Sequence, residues 1–175
     1  MKIARFVPAL VVLLAAGCAG KTTPADNTAR AELRNASGQV VATATFQQVG
    51  GAVRVLVEAT GLPPGPKGVH IHAVGKCDPP DFTTAGSHFN PGGKEHGSLN
   101  PKGSHAGDLP NITVGPDGRG RMESTTEQVT LLAAPNSVFD ADGSALVIHA
   151  SADDFKTDPT GNSGARIACG VIVKK

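Results

Sequence analysis

The 175-residue chain has no tryptophan, no tyrosine and only six phenylalanines. It therefore lacks the aromatic platforms on which single-stranded nucleic acid stacks. Neither charge dominates: 16 Lys and Arg against 15 Asp and Glu give a formal net charge of +1. No overall field attracts nucleic acid or gathers cations. Three cysteines are too few for a disulfide-only miniprotein. The eleven apolar residues from Phe6 to Ala16 fall short of the ~20 needed to span a membrane as a helix. What is abundant is glycine and proline, 22 and 13 residues or one in five together, against ~12% in ordinary proteins. With 39% hydrophobic residues the chain can still bury a core, and its length suits one domain plus a targeting segment. An odd cysteine count and six histidines need an explanation.

The N-terminus reads as an address. Lys2 and Arg5 precede the short apolar run, which ends in Leu14-Ala15-Ala16-Gly17-Cys18. Charge, run length and flanks fit a secretory signal. Small residues leading into a cysteine resemble a bacterial lipobox, although Ala15 stands where an aliphatic residue is commoner. The expected organisation is a signal peptide over 1–17, a tether over 18–28 beginning at a lipidated Cys18, and a folded domain over 29–175. Removing residues 1–17 takes away Lys2 and Arg5 and no acid, so the mature charge is (16 − 2) − 15 = −1. The expected location is the cell envelope, with the protein anchored by lipid to the extracytoplasmic or periplasmic face of a membrane.

Export changes the reading of Cys77 and Cys169. Outside the cytosol an even pair can form a disulfide, here closing a loop of roughly 90 residues. The alternative is a pair of soft metal ligands. Neither has a second cysteine two residues away, which disfavours a thiolate zinc knuckle.

The remaining chain reads as β. Val53 to Ala59 alternates apolar and mixed faces, and Val41 to Phe46 is rich in small and β-branched residues. Gly50-Gly51 joins them as a hairpin. Ala31–Arg34, Val69–Val74, Ile112–Val114, Gly120–Thr125, Ala145–His149 and Ala168–Val173 are further strands. Glu127 to Ala134 fits a helical turn and a strand equally. In Pro116-Asp117-Gly118 proline presets φ and glycine accepts a positive φ, so a turn is expected. Seven or eight short strands with close turns predict an antiparallel sandwich or barrel. Two long strand-poor segments, Cys77–Pro110 and Ser151–Arg166, are the expected functional loops.

The histidines fall at these places. His70 and His72, two apart on one strand, share a face and can reach one metal. The first long loop offers His88, His96, His105 and Asp108, a donor set suited to tetrahedral zinc. His149 ends the apolar strand Ala145–Ile148. Imidazole-rich sites suit copper as well as zinc.

Four stretches go further: GVHIHAVGKC (Gly68–Cys77), GSHFNPGGKEHG (Gly86–Gly97), HAGDLPNITVGPDG (His105–Gly118), and LVIHASADD with GNSGARIACGVI (Leu146–Asp154 and Gly161–Ile172). In this order they resemble the bacterial copper/zinc superoxide dismutases, in a secreted lipoprotein form. The resemblance implies an all-β, eight-stranded antiparallel Greek-key barrel with two long functional loops. It implies one copper and one zinc per subunit and the reaction 2 O₂⁻ + 2 H⁺ → O₂ + H₂O₂. By matching position it assigns copper to His70, His72, His88 and His149. Zinc falls to His88, His96, His105 and Asp108, so that His88 bridges the two metals and acts as proton carrier. Asp153 matches the family's carboxylate that links a copper ligand to a zinc ligand. Arg166 matches the arginine that attracts and aligns the anion, with Lys156 as a further candidate contributor. Cys77 and Cys169 match the family's disulfide. The implied partners are superoxide and the membrane, not nucleic acid; monomer and homodimer both stay open. The competing reading is an inactive dismutase-like lipoprotein that binds or stores copper, for which loss of copper ligands would be the expected sign.

Overall fold

Period-two alternation of apolar with polar residues, as in Val53–Ala59, favours strands, because one face can be buried and the other solvated. The computed structural model describes Met1 and residues 27–175; the expected signal peptide, Cys18 and most of the tether lie outside the described residues. Nine strands follow in chain order: β1 (Thr28–Arg34), β2 (Val40–Val49), β3 (Ala52–Ala59), β4 (Gly65–His72), β5 (Asp108–Val114), β6 (Gly120–Thr126), β7 (Ala145–His149), β8 (Arg166–Val171) and β9 (Val173–Lys174). All strand pairs are antiparallel, in the order β2-β3-β6-β5-β4-β7-β8-β1, and β1 returns to β2 to close an eight-stranded barrel. The two-residue β9 continues β8 past Ile172 and pairs with β1. The non-consecutive neighbours β3–β6 and β4–β7 give the Greek-key crossings.

Turn chemistry sets the register. Gly50 at φ 58° opens the two-residue turn that pairs Val49 with Ala52. Between β5 and β6, Gly118 takes φ 76° as the Pro116-Asp117-Gly118 turn requires. Small aliphatic side chains fill the interior, among them Leu33, Val55, Val57, Ile71, Ile112, Leu146 and Ile148 around Phe46. Each such buried side chain contributes about 1.5–3 kcal/mol relative to an exposed one.

Residues 127–144 form a third long connection that the sequence reading did not single out. Glu127–Ala134 is neither helix nor strand beyond one isolated bridge between Thr130 and Ser137. Val129, Leu131 and Val138 instead join the barrel core. The buried Gln48 carboxamide oxygen accepts from Thr130 Oγ1 and the Leu131 amide, both at 2.8 Å, and so satisfies backbone that a ladder would otherwise pair.

β4 and β7 lie side by side and are buried on both faces. Val69, Ile71, Leu146 and Ile148 point into the barrel. The alternate residues His70, His72, Ala145, Val147 and His149 point the other way. There Ala145 and Val147 pack with Phe82, Ala85, Cys77 and Cys169 in a second small cluster. The long loops 73–107 and 150–165 thus cover the outer face of β4 and β7.

Candidate metal centre

The β4–β7 pairing brings His149 beside His70, with ring centroids 4.8 Å apart. His88, on the first long loop, is carried in by an isolated bridge to His72. Its ring centroid lies 4.0 Å from that of His70 and 5.0 Å from that of His72. The donor atoms of His70, His72, His88 and His149 all lie within 4.8 Å of one another. All four rings are buried. His70 Nδ1, His72 Nε2, His88 Nε2 and His149 Nε2 have no hydrogen-bond partner. Leaving one such buried group unsatisfied costs about 1–3 kcal/mol, so four together mark the place of a cation.

A second group shares His88. Asp108 Oδ1 lies 3.0 Å from His88 Nδ1, 3.0 Å from His96 Nδ1 and 3.4 Å from His105 Nδ1. His105 Nδ1 is also 3.4 Å from His88 Nδ1. Donors placed tetrahedrally at zinc's usual ligand distance stand roughly 3.3 Å apart, so the three imidazoles and one carboxylate fit that ion. His70 also comes within 4.8 Å of the donors of His88, His96 and Asp108. Its Nε2, however, is held by Asp153 at 2.8 Å, and its free Nδ1 belongs to the first group. His105 is therefore the better fourth donor. Only His88 offers one ring nitrogen to each group.

Outer hydrogen bonds choose the tautomers. Asp153, itself buried, accepts from His70 Nε2 at 2.8 Å and His96 Nε2 at 3.0 Å, and from the Phe155 amide at 2.6 Å. His72 Nδ1 donates to the Gly86 carbonyl at 2.9 Å, and His149 Nδ1 to the Gly164 carbonyl at 3.0 Å. Each bond protonates the outer nitrogen and leaves the inner one as a lone-pair donor. Asn111, which the sequence reading did not single out, holds Asp153 from both sides. Its Nδ2 donates to the Asp153 carbonyl and its Oδ1 accepts the Asp153 amide, each at 2.9 Å. Gly161 passes so close that a methyl group there would overlap the Asp153 carboxylate and sit 2.6 Å from His96 Nε2.

Burial sets the charge of the first group. It lowers His70 to about 4 and His149 to about 3, and pushes His72 down as well, so these imidazoles are neutral and ready to bind metal at neutral pH. The second group is anionic at its centre. Burial opposes ionisation of Asp108, but hydrogen bonds from His88 and His96 hold its carboxyl well below the usual range. The same contest, with His70 and His96 as donors, keeps Asp153 ionised. Burial also opposes the charge on His96, yet the two carboxylates outweigh it and raise the ring to about 9, so a metal at Nδ1 must displace a proton there.

Cys77 and Cys169 are joined as a disulfide across a separation of 92 residues. It ties the first long loop to β8, where Arg166 is paired with His149. Arg166 donates to the Phe82 and Gly86 carbonyls, each at 2.6 Å, and so shares the Gly86 oxygen with His72. Burial lowers its pKa, while the charge of nearby Asp81 acts to keep the proton on. A cavity of about 420 Å³ opens here, lined by Pro80, Asp81, Thr83, Gly164, Ala165 and Arg166. Lys156 is exposed on the 150–165 loop and is not part of this lining.

Comparison with known proteins agrees with this arrangement. The family model described as copper/zinc superoxide dismutase matches residues 38–172. A copper/zinc superoxide dismutase of Aquifex aeolicus is 48% identical over 144 residues, covering 81% of this chain and 85% of the relative. The corresponding protein of Deinococcus radiodurans is 42% identical over 180 aligned positions, 93% of this chain and 94% of its own. Among solved structures, a SOD-like protein from Bacillus subtilis superposes with a TM-score of 0.78 at 41% identity, covering 82% of this chain and 97% of that one.

Proposed function

The chain belongs to the copper/zinc superoxide dismutase family, and from that premise we propose how its own residues divide the work. It is a superoxide dismutase, with copper and zinc as cofactors. His70, His72, His88 and His149 would hold copper; His88, His96, His105 and Asp108 would hold zinc. The observation that carries this division is the set of buried, partnerless nitrogens converging from β4, β7 and the first long loop. When bound, copper supplies the one-electron chemistry, and zinc, which has no redox step, supplies charge and order.

The protein residues do the rest. Arg166 spends two of its five N–H donors on Phe82 and Gly86, leaving three to draw in and align an anion from the cavity it lines. His70, His72, His96 and His149 have their outer N–H groups tied to Asp153, Gly86, Asp153 and Gly164. His88 alone directs both nitrogens inward, which makes its Nε2 the atom that takes up a proton and delivers it to the reduced anion. Two superoxide anions and two protons enter, oxygen and hydrogen peroxide leave, and the protein returns unchanged: 2 O₂⁻ + 2 H⁺ → O₂ + H₂O₂.

Protein loaded with one copper and one zinc should dismutate superoxide and be inhibited by cyanide. A copper(II) spectrum with no dismutation would favour the storage reading, which the name of the SOD-like Bacillus subtilis protein keeps in view. Sedimentation of the same sample distinguishes monomer from dimer.

The location belongs to the same proposal. The Lys2–Cys18 stretch supports export and lipidation at Cys18, and a persistent disulfide suits an oxidising compartment. The enzyme would then remove superoxide at the cell envelope. Cys18→Ser should shift the protein from the membrane fraction to the soluble one; unchanged membrane association overturns the lipid anchor.

A further inference from the structure

The outward-facing nitrogens of the metal-side histidines are not all held alike. Asp153 holds those of His70 and His96, and backbone carbonyls hold those of His72 and His149. His105 is the exception. Its Nδ1 faces His88 and Asp108, while its Nε2 makes no hydrogen bond among the described residues. Asp158 Oδ1 stands 3.9 Å from that Nε2, about 1 Å longer than the usual N–H···O distance. The same oxygen accepts the backbone N–H of His96 at 2.6 Å. One carboxylate on the 150–165 loop therefore grips the first long loop at His96 and faces the free nitrogen of His105.

We propose that Asp158 is a latch on the zinc side, closing onto His105 Nε2–H when the metal is held and slowing its departure. A metal on Nδ1 drains electron density from the ring, so Nε2–H becomes a stronger donor, and a carboxylate is the acceptor that gains most from it. The Asp158 side chain is 47% exposed, which leaves it room to move by that distance. Asp153 cannot serve instead, because it is buried and already accepts three hydrogen bonds. The latch rests on the assignment of His105 to zinc.

Two variants separate charge from backbone capping. Asp158→Asn keeps an oxygen for the His96 amide and loses the charge; Asp158→Ala loses both. In the copper- and zinc-loaded protein, both should release zinc to a chelator at least about tenfold faster than the parent. Both should also shift the visible spectrum of cobalt(II) placed on the zinc side. The copper(II) spectrum and the unfolding midpoint of the metal-free Asn variant should stay unchanged. An Asn variant that releases zinc at the parent rate overturns the latch: if Ala alone is fast, Asp158 only caps His96. His105→Ala tests the underlying assignment separately, since zinc retained at parental affinity there removes His105 from the zinc set and the latch with it.

Discussion

His149→Ala should abolish superoxide dismutation and leave zinc in place. His149 belongs to the group formed with His70, His72 and His88, and the zinc-side contacts of Asp108 with His88, His96 and His105 do not involve it. The substitution removes one of four converging nitrogens and the bond from His149 Nδ1 to the Gly164 carbonyl. Losing only an outer partner of a metal-bound histidine weakens metal affinity by 10–100-fold, so losing the donor itself should cost at least about a hundredfold in copper affinity. Activity should fall with it, because only copper carries the redox step. The fold should survive, since Leu146 and Ile148 on the opposite face of β7 still fill the barrel. Metal analysis after dialysis, paired with a superoxide assay, reads both outcomes. Equal loss of copper and zinc would refute the division of ligands.

Replacing both Cys77 and Cys169 with serine should lower stability by about 4–5 kcal/mol, the chain entropy released when a loop spanning 92 residues is opened. Unfolding in guanidinium measures this directly, and an unchanged midpoint would show that the bond constrains little. The effect on catalysis should be separate and visible in fully folded protein. Phe82 and Gly86, whose carbonyls hold Arg166, lie on the loop that Cys77 anchors to β8. Gly86 also fixes the tautomer of His72. With the loop freed, Arg166 loses its rigid seat, and kcat/KM should fall and become less sensitive to salt. Retained kcat/KM with an unchanged salt dependence would show that Arg166 is held by other contacts.

Much of this was readable from local pattern. The alternation in Val53–Ala59, the apolar strand Ala145–His149, the Gly50-Gly51 hairpin and the turn at Pro116-Asp117-Gly118 all appear in the structure. They depend on neighbouring residues, and a period of two is visible in any short window. Strand ends were less legible: β1 begins at Thr28 and β5 at Asp108, each ahead of the apolar residues that marked it. Those ends are set by cross-strand partners, such as Gln47 opposite Thr28 and His70 opposite Asp108. Glu127–Ala134 is neither the helical turn nor the strand its sequence fits, because its order comes from Gln48, some eighty residues away.

The same boundary runs through the metal centre. Sequence alone determined the supply of chemistry: six histidines, Asp108, Asp153, Arg166 and a cysteine pair, with His70 and His72 placed on one face by strand geometry. Tertiary structure decided which nitrogen of each ring is free. That choice is made by Gly86, Gly164, Asn111 and Asp153, through hydrogen bonds between parts of the chain 14 to 83 residues apart. A carbonyl or a second-loop carboxylate carries no mark in sequence of the ring it will hold. Its role exists only once β4 and β7 lie side by side and the two long loops close over their outer face.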